Sequence, residues 1–406
     1  MKLSHGLHLA YSTNIHRGES WAETFRALQT HTLAVRDRVC PHHPYAIGLR
    51  LSERAAVELS EREERLQFQR WLDQNHCYIF TFNGFPYGQF RGTHVKEQVY
   101  LPDWTSPERV AYTNLLFDLL SELLPAGIEG SVSTLPGSFK EFHLSAEAQK
   151  VMRQNIWRTV EHIAHVSEQT GRLLHLGLEP EPLCCLESSA ETLHLFEHLR
   201  AEHPRDERLS QHLGINYDTC HFAVEFEEPL NALPCLVNNG IKISKIHLSS
   251  ALKTRPTAEA LAELKAFSDD IFLHQVVARN ESGERSIFRD LPDAIVQAQR
   301  QLAANETDLP EWRIHFHVPL HAAPKPPFDN THDHLLEVLD LLGVFPAICS
   351  HLEMETYAWE FLPGELKSRS VVDQLAGEYE WTLNALAARG LYGYAGDPAL
   401  TAANAP

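Results

Sequence analysis

The sequence predicts an α/β fold, a (β/α)8 barrel of parallel strands, and three observations predict it. Short apolar runs alternate with longer amphipathic stretches along all 406 residues, the pattern of repeated β–α units around a parallel sheet. Several of these runs end in acids or histidines where a strand hands over to a loop: Glu179-Pro-Glu181, Asn216-Tyr-Asp218-Thr-Cys-His221, Lys245-Ile-His247, His315-Phe-His317 and His351-Leu-Glu353-Met-Glu355. The C-terminal ends of barrel strands converge on one mouth, so such groups meet there even when they are far apart in sequence. No shift in composition marks a domain boundary, so residues 1–392 are expected to form a single barrel domain with insertions and 393–406 a disordered tail.

Taken in order, strands are expected at 7–13, 45–51, 77–83, 129–134, 173–181, 213–219, 243–249, 313–319 and 347–355, one more than a barrel can place. Ser20 caps a helix whose Trp21, Phe25 and Leu28 recur on one face. Residues 53–73 and 107–124 repeat the pattern, the second opening with Ser106-Pro-Glu and stopping at Pro125, which cannot continue a helix. A long helix over 145–169 ends before Gly171. Near 271–289, an apolar run through Val277 is answered across Asn280-Glu-Ser-Gly283 by Ser286-Ile-Phe288, so a hairpin is expected as an insertion after the seventh strand. A C-terminal helix is expected after the last strand.

Charge and cysteine usage narrow the function. A formal charge of −19 without a basic block argues against nucleic acid or an anionic lipid surface and for a small-molecule metabolite. Seven cysteines without CxxC spacing suggest a reducing cytoplasm. The polar opening Met1-Lys-Leu-Ser-His5 is unlike a signal peptide, and no apolar run reaches the roughly eighteen residues that would span a bilayer.

Period-two spacing puts His175, Gly177, Glu179 and Glu181 on one strand face, and His351, Glu353 and Glu355 on another. Burying several carboxylates in a barrel is costly unless a divalent cation pairs with them. Oxygen and imidazole donors suit Mg²⁺, Mn²⁺, Zn²⁺ or Fe²⁺. Singly, each residue has an ordinary reading: an ion pair for Glu179 or Glu181, a strand-exit cap for Asp218, a hydrogen-bonded core ring for His247, His315 or His317. The ensemble is what implies an ion. Asn14 and His16 close the first strand, Asn83 the third, and Ser133, Thr134 and Lys140 the fourth, in positions to surround the pocket or simply to make turns. Phe82, Phe85, Tyr87 and Phe90 either wall that pocket or pack against a helix.

The order Glu, Asp-x-x-His, His, Glu on successive late strands resembles the xylose-isomerase-like superfamily of sugar isomerases, sugar phosphate isomerase/epimerase-type barrels and the endonuclease IV group. The resemblance implies that Glu179, Asp218, His247 and Glu355 are metal ligands, that His221 touches substrate, and that Lys253 is a cationic substrate contact. More closely, Tyr11-Ser-Thr-Asn14-Ile-His16, Asn83-Gly-Phe-Pro-Tyr-Gly88, Val99-Tyr-Leu-Pro-Asp-Trp104, Leu273-His-Gln-Val-Val277, Arg313-Ile-His-Phe-His-Val-Pro319 and His351-Leu-Glu-Met-Glu-Thr-Tyr357 are similar to the EboE family. That family is described as metabolite traffic proteins, encoded beside a membrane protein, which implies a membrane-protein partner from the same gene cluster. His317 and the 271–289 segment depart from a simple four-ligand scheme.

The expected activity is therefore a metal-dependent isomerase or epimerase of a small polyhydroxylated metabolite, with Glu179 and Glu355 as base and acid on its two faces. Two alternatives stand beside it. One is a hydrolase with two or three ions, in which Glu181, His221, His317 and Glu353 add metal or substrate contacts; the other is a non-catalytic carrier or assembly factor for the membrane partner.

Overall fold

The computed structural model describes residues 1–88, 96–267, 273–305, 309–356 and 370–393. Phe90, the first residues of the expected hairpin (Ile271 and Phe272), Tyr357 and nearly all of the expected tail lie outside them.

The chain builds seven parallel strands in succession: β1 (His8–Tyr11), β2 (Tyr45–Arg50), β3 (Cys77–Asn83), β4 (Gly130–Thr134), β5 (Leu174–Leu178), β6 (Leu213–Asp218) and β7 (Lys242–Leu248). It then leaves the barrel for an antiparallel sheet of β8 (Ala251–Thr254), β9 (Val276–Arg279), β10 (Arg285–Phe288), β11 (Glu311–His317) and β12 (Phe328–Asn330), in the order β10-β9-β11-β8-β12. It returns as β13 (His351–Met354), which lies parallel between β7 and β1. A parallel bridge from Ser12 to Gly48 joins β1 to β2 and completes a (β/α)8 barrel. Its strands are buried on both faces, as parallel strands between a filled interior and a helical coat must be.

The eighth expected strand is thus the extra one. Residues 313–319 do contain a strand, but β11 pairs antiparallel with β8 and β9, and the eighth barrel place goes to β13. The expected hairpin is present as β9–β10, one edge of this larger insertion between the seventh and eighth barrel strands. Near its end β11 slips register against β8, with Ile314 opposite Leu252 but His317 opposite Ala251. Such a bulge bends a strand and re-aims its side chains, and here it affects His315 and His317.

The helices start and stop for local reasons. Ser20 accepts from the Glu23 amide while Glu23 reaches back to the Ser20 amide, a capping box ahead of Trp21–Ala27. The helical stretch expected over 53–73 breaks at Glu61, whose extended backbone separates Glu53–Ser60 from Arg62–Gln74. Ala146–Thr170 ends on Gly171 at φ 68, a left-handed position that glycine adopts without strain. Among the described residues no helix is long and apolar enough to cross a membrane.

The C-terminal helix Val371–Ala387 is tied to the barrel mouth by Glu378, which accepts from the Leu320 amide at 3.0 Å and the Thr356 hydroxyl at 2.6 Å. Burial raises its pKa from 4.5 to about 7, against the pull of those two hydrogen bonds. The folded state therefore holds this proton more tightly than the unfolded chain does. Stability is flat below pH 4.5, falls as pH rises to about 7, and above that carries the full penalty, about 3 kcal/mol at 1.36 kcal/mol per unit. Glu378→Gln should remove this slope, so urea unfolding at pH 5 and pH 8 should show the variant gaining on the parent at the higher pH. An equal difference at both pH values would contradict the assignment.

Candidate metal centre

Strand ends deliver the donors. Glu179 follows β5, Asp218 ends β6, His247 lies near the end of β7, and Glu355 follows β13. Although separated by as much as 176 positions, one donor atom from each of the four lies within 4.8 Å of the others, and all four residues are buried.

The His247 ring shows what this arrangement is suited to hold. Its Nδ1 lies 2.9 Å from Glu179 Oε1, 3.0 Å from Glu355 Oε2 and 3.4 Å from Asp218 Oδ2. A single ring N–H satisfies one such oxygen well, not three. Ligands bound at about 2.0–2.2 Å around one divalent cation stand about 3.0–3.5 Å apart, which matches these separations. Asp218 adds a second indication. Its Oδ1 accepts from the Cys220 amide, the His221 amide and the Ser249 hydroxyl, at 2.7, 3.0 and 2.6 Å, while its buried Oδ2 makes no hydrogen bond among the described residues. The residues fit a divalent cation, and these four would hold it.

Supporting contacts fix each donor. Glu355 Oε1 accepts from the side-chain amides of Asn14 at 3.0 Å and Asn83 at 3.2 Å, leaving Oε2 toward His247. On the far side of the ring, His247 Nε2 donates to Glu353 Oε2 at 2.9 Å, and Glu353 also takes the ammonium of Lys245. A carboxylate behind a ligating histidine orients the ring and raises its basicity. Lys245 and Glu353 are both fully buried. Burial alone would raise the Glu353 pKa, but Lys245 and His247 hold it down at about 2. Room for this carboxylate comes from β2: a Cβ on Gly48 would lie 2.0 Å from Glu353 Oε1.

The charges around the mouth follow from these contacts. Burial opposes ionisation of Glu179, yet His247 and His221 hold its pKa below the ordinary value. Burial likewise opposes a charged His247, but Glu355, Glu179 and Asp218 raise it well above its usual range. Asp218 is held well below its usual value by His221, His317 and His247 against desolvation. Glu181 differs, because desolvation dominates and lifts it to about 7. Its Oε1 accepts from the Tyr100 hydroxyl at 2.9 Å.

Over these groups sits a cavity whose polar side includes Asn14, Asn83, Glu179, Glu181, His221 and Glu355, and whose apolar side is Phe85, Pro86, Val99, Leu135 and Leu273. The structure brings most of the expected residues here, with exceptions. Glu353 lies behind His247, one step deeper in the barrel, and is not among the four clustered donors. Lys253 does not line the cavity: β8 carries it into the insertion, where its ammonium sits 3.3 Å from Asp329 and 3.6 Å from Asp333. His16 is also absent from this lining, hydrogen-bonded to the Tyr11 hydroxyl at 2.8 Å and stacked on His31. Lys140 is engaged by Glu187 and Glu191. Phe85 lines the pocket, whereas Phe82 belongs to the core.

Sequence reasoning missed Tyr100 and Gln275. Gln275 donates to the Tyr100 hydroxyl at 3.0 Å and the Pro182 carbonyl at 3.2 Å, and its oxygen lies 2.7 Å from His315 Nδ1. A lone amide in the apolar run Leu273-His-Gln-Val-Val277 was the available signal.

No family model matches the chain, and no curated protein matches it. Among solved structures it is similar to that of an L-ribulose 3-epimerase, with 12% identity and a TM-score of 0.48 over 95% of each chain. It is also similar to the IolI protein with a binding zinc atom, with 10% identity and a TM-score of 0.48 over 94% of this chain and 98% of that one. A xylose isomerase domain protein from Alicyclobacillus acidocaldarius subsp. acidocaldarius shares 11% identity, with a TM-score of 0.47 over 94% of this chain and 98% of that one. At such identities and TM-scores these likenesses carry no functional argument, and the EboE resemblance rests on its sequence motifs alone.

Proposed function

We propose that this protein is a metal-dependent isomerase or epimerase of a small polyhydroxylated or hydroxy-carbonyl metabolite. The observation that supports the reading is the convergence of Glu179, Asp218 and Glu355 on a single nitrogen of His247, at the mouth of a barrel beneath a cavity. A divalent cation bound there supplies Lewis acidity, which polarises a carbonyl and acidifies the neighbouring C–H.

The chain's own groups do the rest. Glu179, kept ionised by its histidine neighbours, takes a proton from one face of the substrate carbon, and Glu355, fixed by Asn14 and Asn83, returns one to the other face. Asp218 and His247 hold position, the latter braced by Glu353. The apolar wall of Phe85, Pro86, Val99, Leu135 and Leu273 keeps water from the intermediate. A role in metabolite traffic, a membrane-protein partner, a cytoplasmic setting and a single domain over 1–392 belong to the same proposal, carried by the sequence readings above.

The reading is tested by incubating the protein in deuterated water with a panel of ketoses and hydroxy acids, each with Mn²⁺, Zn²⁺ or Mg²⁺ and again with a chelator. Deuterium should enter at one carbon adjacent to a carbonyl, stop on chelation and resume when metal is restored. Exchange that survives chelation, or its absence across the panel in protein that is metal-loaded, counts against the proposal.

A further inference from the structure

The short helix Thr219–Val224 starts at the metal centre, with Asp218 as its N-cap and His221 on its length, and it ends on a residue that its backbone does not favour. The Phe226 amide donates to the Ala223 carbonyl at 3.0 Å and the Glu227 amide to the Phe222 carbonyl at 3.0 Å, the paired bonds of a Schellman motif. Phe226 itself sits at φ 56, a left-handed position where a side chain is strained and glycine is usual. Its ring holds it there. Arg279 and Arg313 each carry a guanidinium 4.1 Å from the ring centroid, well inside cation–π range, and the ring packs with Cys220, Val224, Ala251 and Val277 in a small core of its own.

Both arginines belong to the insertion, Arg279 on β9 and Arg313 on β11. Arg313 also donates to the Ala223 carbonyl at 2.7 Å, and Arg285 of β10 donates to the Glu225 carbonyl at 2.6 Å. Three strands of the insertion therefore close the end of this helix, where carbonyls are left without partners inside it. Glycine at 226 would end the helix without strain but would leave the arginines nothing to hold. Strain of this kind persists where surrounding contacts over-determine it, and here those contacts join two elements.

The same face of the insertion reaches the metal centre. Arg279 pairs with Glu311 and Val277 with Arg313, and the His315 amide continues the ladder to the Gln275 carbonyl at 2.8 Å. Alternation along the two strands then puts Gln275, Val277 and Arg279 on one face with His315, Arg313 and Glu311. Phe226 lies against the outer end of that face. At the inner end the His315 ring is hydrogen-bonded to Gln275, and its centroid is 4.6 Å from that of His221.

We infer that Phe226 is a positioning residue: its ring keys the insertion sheet onto the helix Thr219–Val224, and this seating fixes Asp218 and His221 at the barrel mouth. The seating does not depend on the isomerase reading, and its effect on an ion rests on the four-donor centre.

The test compares Phe226→Gly with Phe226→Ala in the full chain. Both remove the ring, but only alanine keeps the left-handed strain, so Phe226→Gly should unfold at the higher urea concentration. Zn²⁺ affinity, read by competition with a chromophoric chelator, should nevertheless fall about 10- to 100-fold in both, the loss that follows when a contact supporting a ligand is removed. Phe226→Tyr, which keeps a ring, should bind as the parent does. Amide hydrogen exchange should quicken in Thr219–Val224 and in Val276–Arg279 for both ring-deleted variants, with β3 and β4 unchanged. Parent-like Zn²⁺ affinity in Phe226→Gly, or affinity that simply follows stability, overturns the proposal, as does parent-like exchange in those two segments. A parent that binds no Zn²⁺ sinks the four-donor centre, and the exchange result alone then decides the seating. Should both variants fail to fold, Arg279→Gln takes one guanidinium from the ring without touching the helix, and the same two readouts decide.

Discussion

Glu355→Gln is expected to lower the rate of proton exchange at the substrate carbon by about 10²- to 10⁴-fold, the usual contribution of a positioned acid or base. The substitution is close to isosteric. The Gln oxygen still accepts from Asn14 and Asn83, so the loop after β13 keeps its anchors. What changes is the atom facing His247 Nδ1 at 3.0 Å, where a carboxyl oxygen becomes an amide donor. Metal affinity falls as well, so exchange is measured at metal concentrations that restore occupancy, with occupancy checked by elemental analysis. Exchange that persists in the metal-loaded variant would remove Glu355 from the chemistry.

Glu353→Gln should have the largest effect on stability. The carboxylate holds a fully buried Lys245 ammonium and the His247 Nε2–H together, and the substitution leaves that ammonium uncompensated. Breaking a buried pair from one side costs about 3–5 kcal/mol, and loss of the group behind a ligating histidine weakens metal binding by about 10- to 100-fold. Because replacing both partners of a buried pair by apolar groups is often nearly neutral, Glu353→Leu combined with Lys245→Met should recover much of the lost stability without recovering the metal affinity. Urea unfolding of the metal-free proteins, with Zn²⁺ titrations alongside, separates the two effects. A single variant that unfolds within 1 kcal/mol of the parent would mean that the buried pair matters little.

The barrel was legible because its strands are buried on both faces and read as apolar runs, and a donor-rich mouth because strand ends carry acids and histidines; that Glu179, Asp218, His247 and Glu355 are the four that cluster was implied by the resemblance to the xylose-isomerase-like superfamily. Depth along a strand was less legible. Period-two spacing puts Glu353 and Glu355 on one face, but Glu353 pairs in register with His247 and lies beside Lys245, while Glu355 is one residue past the end of β13. Pairing partners were not legible either. The run at 313–319 has the composition of a barrel strand, and only its antiparallel neighbours make it part of the insertion. Lys253 failed for the same reason, since β7 ends at Leu248 and the chain turns outward into β8 before reaching it. His16 lies beyond the end of β1, after the short helix Thr13–Ile15, and is engaged by Tyr11 and His31, contacts that sequence spacing does not specify.

The most direct test is an anomalous difference map from crystals grown with Mn²⁺ and no chelator. A peak about 2.0–2.2 Å from donor atoms of Glu179, Asp218, His247 and Glu355 is the result expected. Full Mn²⁺ in the crystallisation medium with no peak among those four side chains, or a peak bound by other residues alone, would contradict the account.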